Sequence, residues 1–255
     1  MKNDDLNKNG FISIKIPKNL IKNLSKAIIE DIKIKLQCEK KNFFNFLNVQ
    51  KKIISISNRS FLTKFGHNAQ RHLNSEITNE INNWVKKSIP KKIKSNKACI
   101  NFISKSDQHI NKRLKNKQIS IFYRLVRGDK KRDVGYPHRD IDFWNLGIRR
   151  KGSIKPKSRW KIWIPIWGCN KNNTLNFIPG SNQKKILINY LKKNGRVKPI
   201  ISKSYFKNNK NLSKPGLSYK DNLNAVLFHE KTVHYAPQNT STKLRISAEF
   251  TIFAR

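Results

Sequence analysis

Tyr136-Pro137-His138-Arg139-Asp140-Ile141-Asp142-Phe143-Trp144 sets a histidine and a carboxylate two residues apart. Side chains alternate along an extended segment, so His138 and Asp140 fall on one side and can reach one ion. A second stretch answers it: Phe228-His229-Glu230-Lys231-Thr232-Val233-His234-Tyr235-Ala236-Pro237-Gln238-Asn239-Thr240-Ser241, followed by Leu244-Arg245-Ile246-Ser247. One carboxylate and two imidazoles can hold a divalent iron on one face and leave the other open. An arginine eleven residues after His234 can hold a carboxylate co-substrate in a bidentate fork.

Spacing alone leaves the second histidine open between His229 and His234. His234 is preferred because it stands where a strand gives way to Tyr235-Ala236-Pro237-Gln238-Asn239, a loop that exposes a side chain. His229 reads as a strand-end histidine beside the site. Asp142 is a substitute for Asp140 on chemistry alone.

The flanking sequence predicts the frame. Leu244, Ile246, Ala248, Phe250 and Ile252 alternate with Arg245, Ser247, Glu249 and Thr251. This is a strand with one apolar face and one polar face that a barrel can turn inward. Ile119 to Val126 is rich in β-branched and aromatic residues and feeds the turn before His138. Trp160 to Trp167 reads as a buried strand in which Pro165 marks an edge or a bulge. Cys99 to Ile103, Thr174 to Ile178 and Asn224 to Phe228 are shorter strands, and Pro179-Gly180-Ser181 ends the second of these. Repeated short strands with turn signals imply a sandwich or a small barrel. Residues 147–159 and about 192–221 read as surface insertions, the latter with a short strand at its middle.

Before residue 98 the texture is helical. Leu20, Ile21, Leu24, Ala27, Ile28 and Ile32 share one face behind Pro17. Ile77, Ile81, Trp84, Val85 and Ile89 form a second stripe closed by Pro90. Phe43, Phe44, Phe46, Leu47 and Val49 form a cluster that packs on these helices. The expected organisation is one domain over 1–255, with a mostly helical part at 1–97 and a β-barrel core at 98–255.

The formal net charge is +40, with only 15 acidic residues. Lysine dominates the excess and accompanies abundant Asn and Ile, which share A/T-rich codons, so codon bias and a solvated surface are favoured over nucleic-acid binding. Codon bias does not explain the scarcity of acids, and an anionic small substrate stands as a third reading beside both. Cys38, Cys99 and Cys169 are odd in number and far apart, which fits a reducing compartment and argues against a disulfide framework. The N-terminus lacks the apolar core of a signal peptide, and no apolar run reaches membrane-spanning length. The expected location is cytoplasmic.

Taken together, His138-x-Asp140, Leu175 to Ser181, His234, Asn239 and Arg245 resemble the phytanoyl-CoA dioxygenase-like branch of the iron- and 2-oxoglutarate-dependent oxygenases. The resemblance covers Ile119 to Phe253. It implies a mainly β fold with N-terminal helices, a double-stranded β-helix of the jelly-roll, cupin-like kind. It implies Fe(II) on His138, Asp140 and His234, with 2-oxoglutarate and O2 as co-substrates. Arg245 would hold the far carboxylate of 2-oxoglutarate, helped by Ser247, with Tyr123 and Trp163 as further contacts. Asn239 would shape the loop that holds His234. The carboxylate at Asp140 implies hydroxylation of an unactivated C–H in a small metabolite rather than halogenation. Arg149 and Arg150 belong to a basic lid that would recruit an anionic substrate. The rivals are a metal-binding jelly roll without 2-oxoglutarate turnover and a basic nucleic-acid-binding protein. The sequence offers no recognition helix or aromatic single-strand motif for the latter.

Overall fold

The computed structural model describes residues 3–37, 46–65, 69–90, 93, 120–143, 158–193, 196–217 and 223–254. The expected strand at Cys99 to Ile103, the residues Phe43 and Phe44, and Arg149 and Arg150 lie outside them.

The amphipathic stripes make a helical layer. α1 (Asn3–Asn9) leads into β1 (Phe11–Lys15), and α2 (Lys18–Lys35) begins directly after Pro17. α2 buries Leu20, Leu24, Ala27, Ile28 and Ile32. α3 (Phe46–Ser55) and α4 (Asn58–Lys64) follow, then β2 (Ala69–His72) and α5 (Ser75–Ser88). α5 is capped by Asn74, whose side chain accepts from the Ile77 amide at 2.9 Å. It buries Ile77, Ile81, Trp84 and Val85. Trp84 Nε1 donates to the Lys15 carbonyl at 2.8 Å, tying α5 to β1.

The remaining strands are β3 (Ser120–Val126), β4 (Ser158–Trp167), β5 (Asn176–Phe177), β6 (Ile188–Lys193), β7 (Arg196–Ile201), β8 (Lys214–Pro215), β9 (Asn224–His229), β10 (His234–Tyr235) and β11 (Arg245–Ala254). One more short helix, α6 (Lys203–Asn209), stands between β7 and β8. The main sheet has the order β1-β9-β4-β11-β3-β2, antiparallel throughout. A second sheet runs β10-β5-β8, and His138 bridges onto β10 at His234. Four strands of the main sheet, β9-β4-β11-β3, therefore face the His138 segment-β10-β5-β8. This is the eight-stranded jelly roll of a double-stranded β-helix, as the sequence led us to expect. β1 and β2 come from the N-terminal part and widen the main sheet at its two edges.

The alternation in β11 divides the molecule. Ile246, Ala248, Phe250 and Ile252 pack in the cluster that contains α2 and α5, together with Ile121, Tyr123 and Leu125 of β3 and Ile162, Ile164 and Ile166 of β4. The opposite face points between the sheets, where Trp163, Val226 and Phe228 meet Leu175, Phe177, Leu217 and Ala236. The rings of Phe177 and Phe228 lie 5.1 Å apart across that gap.

Pro165 sits in a central strand rather than at an edge. Ile246 pairs with Trp167 while Ser247 pairs with Pro165, so Ile166 is the extra residue of a bulge. β4 pairs with β9 only from Trp160 to Trp163, so on that side no ladder bond is asked of Pro165.

Candidate metal centre

The two ligand stretches meet as one rung of a β-ladder. The His138 amide donates to the His234 carbonyl at 3.1 Å, and the His234 amide donates to the His138 carbonyl at 3.0 Å. Asp140 follows in the first residue of a helical turn, anchored where the Ile141 amide donates to the Glu230 carbonyl at 3.1 Å. On the partner side, Ser181 Oγ accepts from the Val233 amide at 2.9 Å and donates to the Ile178 carbonyl at 2.6 Å. This clamps the residue before His234 to the Pro-Gly-Ser turn, where Gly180 adopts φ +72°. Asn239 donates to the Val126 carbonyl at 3.2 Å and the Lys243 carbonyl at 2.7 Å, which shapes the loop between β10 and β11.

The side chains converge. His138, Asp140 and His234 each offer a ligand atom within 4.8 Å of the others, the one such cluster among the described residues. The tautomer of both rings is fixed by the backbone. His138 Nδ1 lies 2.7 Å from the Tyr136 carbonyl, and His234 Nδ1 lies 3.0 Å from the Thr232 carbonyl. A carbonyl only accepts, so both Nδ1 atoms carry the proton and both Nε2 atoms present a lone pair. Asp140 Oδ2 is buried and has no hydrogen-bond partner among the described residues. Two neutral imidazole nitrogens and a carboxylate oxygen left open inside a barrel fit a divalent transition metal.

Electrostatics keep the donors in binding form. Burial takes His138 down to about 3, with the neighbouring His234 adding to the effect. Burial also lowers His234. Burial pushes the Asp140 carboxyl up, but Lys161, His234 and His138 outweigh it and hold it below the usual carboxylate range. His229, the last residue of β9, stands outside the cluster. Its ring packs edge-on to Trp160, and burial with Lys231 and Arg159 nearby lowers it to about 4.

Arg245, Ser247, Glu249 and Thr251 all face inward and are shielded, with Arg245 fully buried and its Nη1 donating to the Asn173 carbonyl. Trp163 lies between the sheets. Tyr123 does not. Its hydroxyl donates to Asp31 Oδ2 at 2.6 Å and accepts from Lys35 at 3.0 Å, both on α2. The expectation that Tyr123 lines the barrel is therefore corrected. The pleat puts its neighbour Arg124 on the inner face instead, opposite Ser247 in the β3–β11 register. Arg124 and His138 both border Gly135, where a Cβ would come 3.6 Å from Arg124 Nη1 and 4.0 Å from His138 Cε1.

Sequence reasoning also missed Lys161 and Glu249. Lys161 Nζ lies 3.4 Å from Asp140 Oδ1 and 3.1 Å from Glu249 Oε1. Burial lowers Lys161, but Asp140 and Glu249 overcome this and raise it. Burial raises Glu249, and Lys161 with Arg124 overcomes that in turn. The signal was present in the pattern: Lys161 shares a face with Trp163, and Glu249 with Arg245.

No protein-family model and no curated protein sequence matches the chain. Solved structures do. EctD from S. alaskensis, crystallised with 2-oxoglutarate and 5-hydroxyectoine, matches with a TM-score of 0.59 at 11% identity, covering 98% of this chain and 74% of that one. The chain has an EctD-like fold. EctD from S. alaskensis with bound Fe matches with a TM-score of 0.52 at 11% identity, covering 98% and 75% of the two chains. At this identity the likeness concerns the fold, and the site rests on the geometry above.

Proposed function

We propose that this chain is an Fe(II)- and 2-oxoglutarate-dependent dioxygenase of the phytanoyl-CoA dioxygenase-like branch, which hydroxylates an unactivated C–H of a small, anionic metabolite in the cytoplasm. The observation that carries the reading is the convergence of His138, Asp140 and His234, with both imidazoles fixed as Nε2 donors. EctD, whose fold the chain shares, has been crystallised with Fe and with 2-oxoglutarate, which supports the same cofactors here.

His138, Asp140 and His234 hold the iron. When bound, iron and 2-oxoglutarate supply the oxidation of the C–H by O2, yielding succinate and carbon dioxide. The protein's part is placement. Arg245 is sequestered on the inner face of β11, where its guanidinium can fork a distal carboxylate, and Ser247 offers a hydroxyl two residues along the same face. Arg124, across the ladder from Ser247, adds a second inward cation. Trp163, Phe177 and Phe228 wall the space between the sheets and exclude water. Lys161 sits 3.4 Å from Asp140 Oδ1 and balances its charge, while Oδ2 has no hydrogen-bond partner among the described residues. Arg149 and Arg150 remain the proposed recruiters of an anionic substrate.

Anaerobic titration tests this reading. Ferrous iron followed by 2-oxoglutarate should produce the visible charge-transfer band of the chelate. His138→Ala should abolish it, and Arg245→Ala should weaken it by raising the 2-oxoglutarate concentration needed. Iron loading with no band would remove 2-oxoglutarate from the assignment.

A further inference from the structure

The acidic residues, unlike the lysines and arginines, are not spread evenly along the chain. All 15 acidic residues lie outside residues 143–220, while 19 of the 55 lysines and arginines lie inside. That acid-free stretch contains the β6–β7 hairpin, a two-stranded sheet that pairs with no other sheet among the described residues.

The base of the hairpin is fixed to the barrel. Ile186, Ile201, Ile178 and Val233 pack together, and Ile188, Tyr205 and Phe206 lie against them. The Ile201 amide donates to the carbonyl of Pro137, the residue before His138, so the hairpin springs from the rim of the metal centre. Its outer part presents apolar side chains to solvent, with Tyr190 60% exposed, Val197 44% and Leu191 37%, and Leu187, beside the base, is 71% exposed. Register puts Tyr190 and Val197 on one face of the ribbon and Leu191 on the other. Lys184, Lys185 and Lys192 are exposed beside them.

We propose that this hairpin docks the chain on an anionic lipid surface, with Leu187, Tyr190, Leu191 and Val197 entering the headgroup–acyl boundary and the lysines contacting the headgroups. Apolar side chains on both faces of a ribbon have no aqueous partner, whereas an interfacial medium accepts both at once. Lysines bordering such a wedge gain from the negative surface potential, and no carboxylate in the stretch opposes them. Nucleic-acid interfaces are also basic but predominantly polar, and they give no place to exposed leucine and valine at the tip of the element. Docking in this way sets the rim of the metal centre against the headgroup layer.

The experiment is sedimentation of the full chain with vesicles of phosphatidylcholine alone and of phosphatidylcholine mixed with phosphatidylglycerol. Binding to the mixed vesicles and not to the neutral ones is expected. Lys184→Gln/Lys185→Gln/Lys192→Gln should weaken it by about a hundredfold. Leu187→Ser/Leu191→Ser/Val197→Ser should release the chain while leaving its circular dichroism and Tm unchanged. In Tyr190→Trp, brominated acyl chains should quench the introduced indole beyond any quenching seen in the parent. Absence of binding to anionic vesicles, binding indifferent to the apolar triple variant, or an unquenched indole would each overturn the proposal. So would hairpin-dependent binding of random-sequence duplex DNA without vesicle binding. His138→Ala should leave vesicle binding intact, so this test and the iron test fail independently.

Discussion

At the residue scale, the metal centre depends on protons held in particular places. The Tyr136 and Thr232 carbonyls fix the Nδ1 protons of His138 and His234, and the low affinity of both rings for a second proton keeps Nε2 free. Cobalt(II) binding, followed by its d–d spectrum, should therefore stay unchanged from neutral pH down to well below the ordinary histidine value. His138→Ala should weaken it by more than about a hundredfold, beyond the 10–100-fold expected of an outer-shell partner. Lys161 gives a second prediction. It separates two inward-facing carboxylates, the buried Asp140 and the half-buried Glu249. Lys161→Met should destabilise the fold by about 3–5 kcal/mol in chemical denaturation, because it leaves charges uncompensated. Adding Glu249→Met should restore part of that loss.

At the element scale, two clamps carry the ligand segments. Ser181→Ala removes the partner of the buried Val233 amide and should cost about 1–3 kcal/mol, with weakened cobalt binding as the functional readout. Arg127 forms a buried bidentate pair with Asp133 and also donates to the Ile56 carbonyl and Asn58, joining the turn ahead of His138 to the α3–α4 corner. Asp133→Asn should lower Tm for the same reason as Lys161→Met. The elements themselves were legible wherever the pattern was local. The β11 alternation and the α2 and α5 stripes follow from periodicities of 2 and 3.6, whereas the extended-segment reading of His138-x-Asp140 does not hold, because Asp140 opens a helical turn. The β3 face was misjudged because Ile121, Tyr123 and Leu125 bury against helices, and both faces of that strand hold side chains suited to an interior. Arg124 looks like a surface residue until the register places it opposite Ser247. The β6–β7 hairpin starts earlier than the expected insertion and holds two strands, since pairing between strands decides where a ribbon begins. That β1 and β2 join the main sheet was missed: Ile12-Ser13-Ile14-Lys15-Ile16 alternates as a strand does, Ala69 to His72 shows no such alternation, and neither stretch indicates the strand it pairs with.

At the scale of the whole molecule, the buried histidines set an acid limit. His138 and His229 titrate in the fold at about 3 and about 4, and His234 is likewise lowered, whereas in the unfolded chain histidine takes its proton near 6.5. Between those values the unfolded chain binds more protons, so their contribution to stability is whole above about 6.5 and drains away as pH falls toward 3. Thermal melts of the metal-free protein should show Tm falling steadily through that window, and His229→Gln should flatten part of the slope. The described residues contain no helix long and apolar enough to cross a membrane. The rung that joins His138 to His234 has a further consequence. The backbone bonds that close the second sheet are the same ones that bring the two imidazoles together. A chain caught with its barrel open lacks the assembled three-ligand set and offers its donors only separately. The endpoint of a metal titration then becomes a head-count of correctly closed molecules, a direct assay of active fraction that requires no knowledge of the substrate.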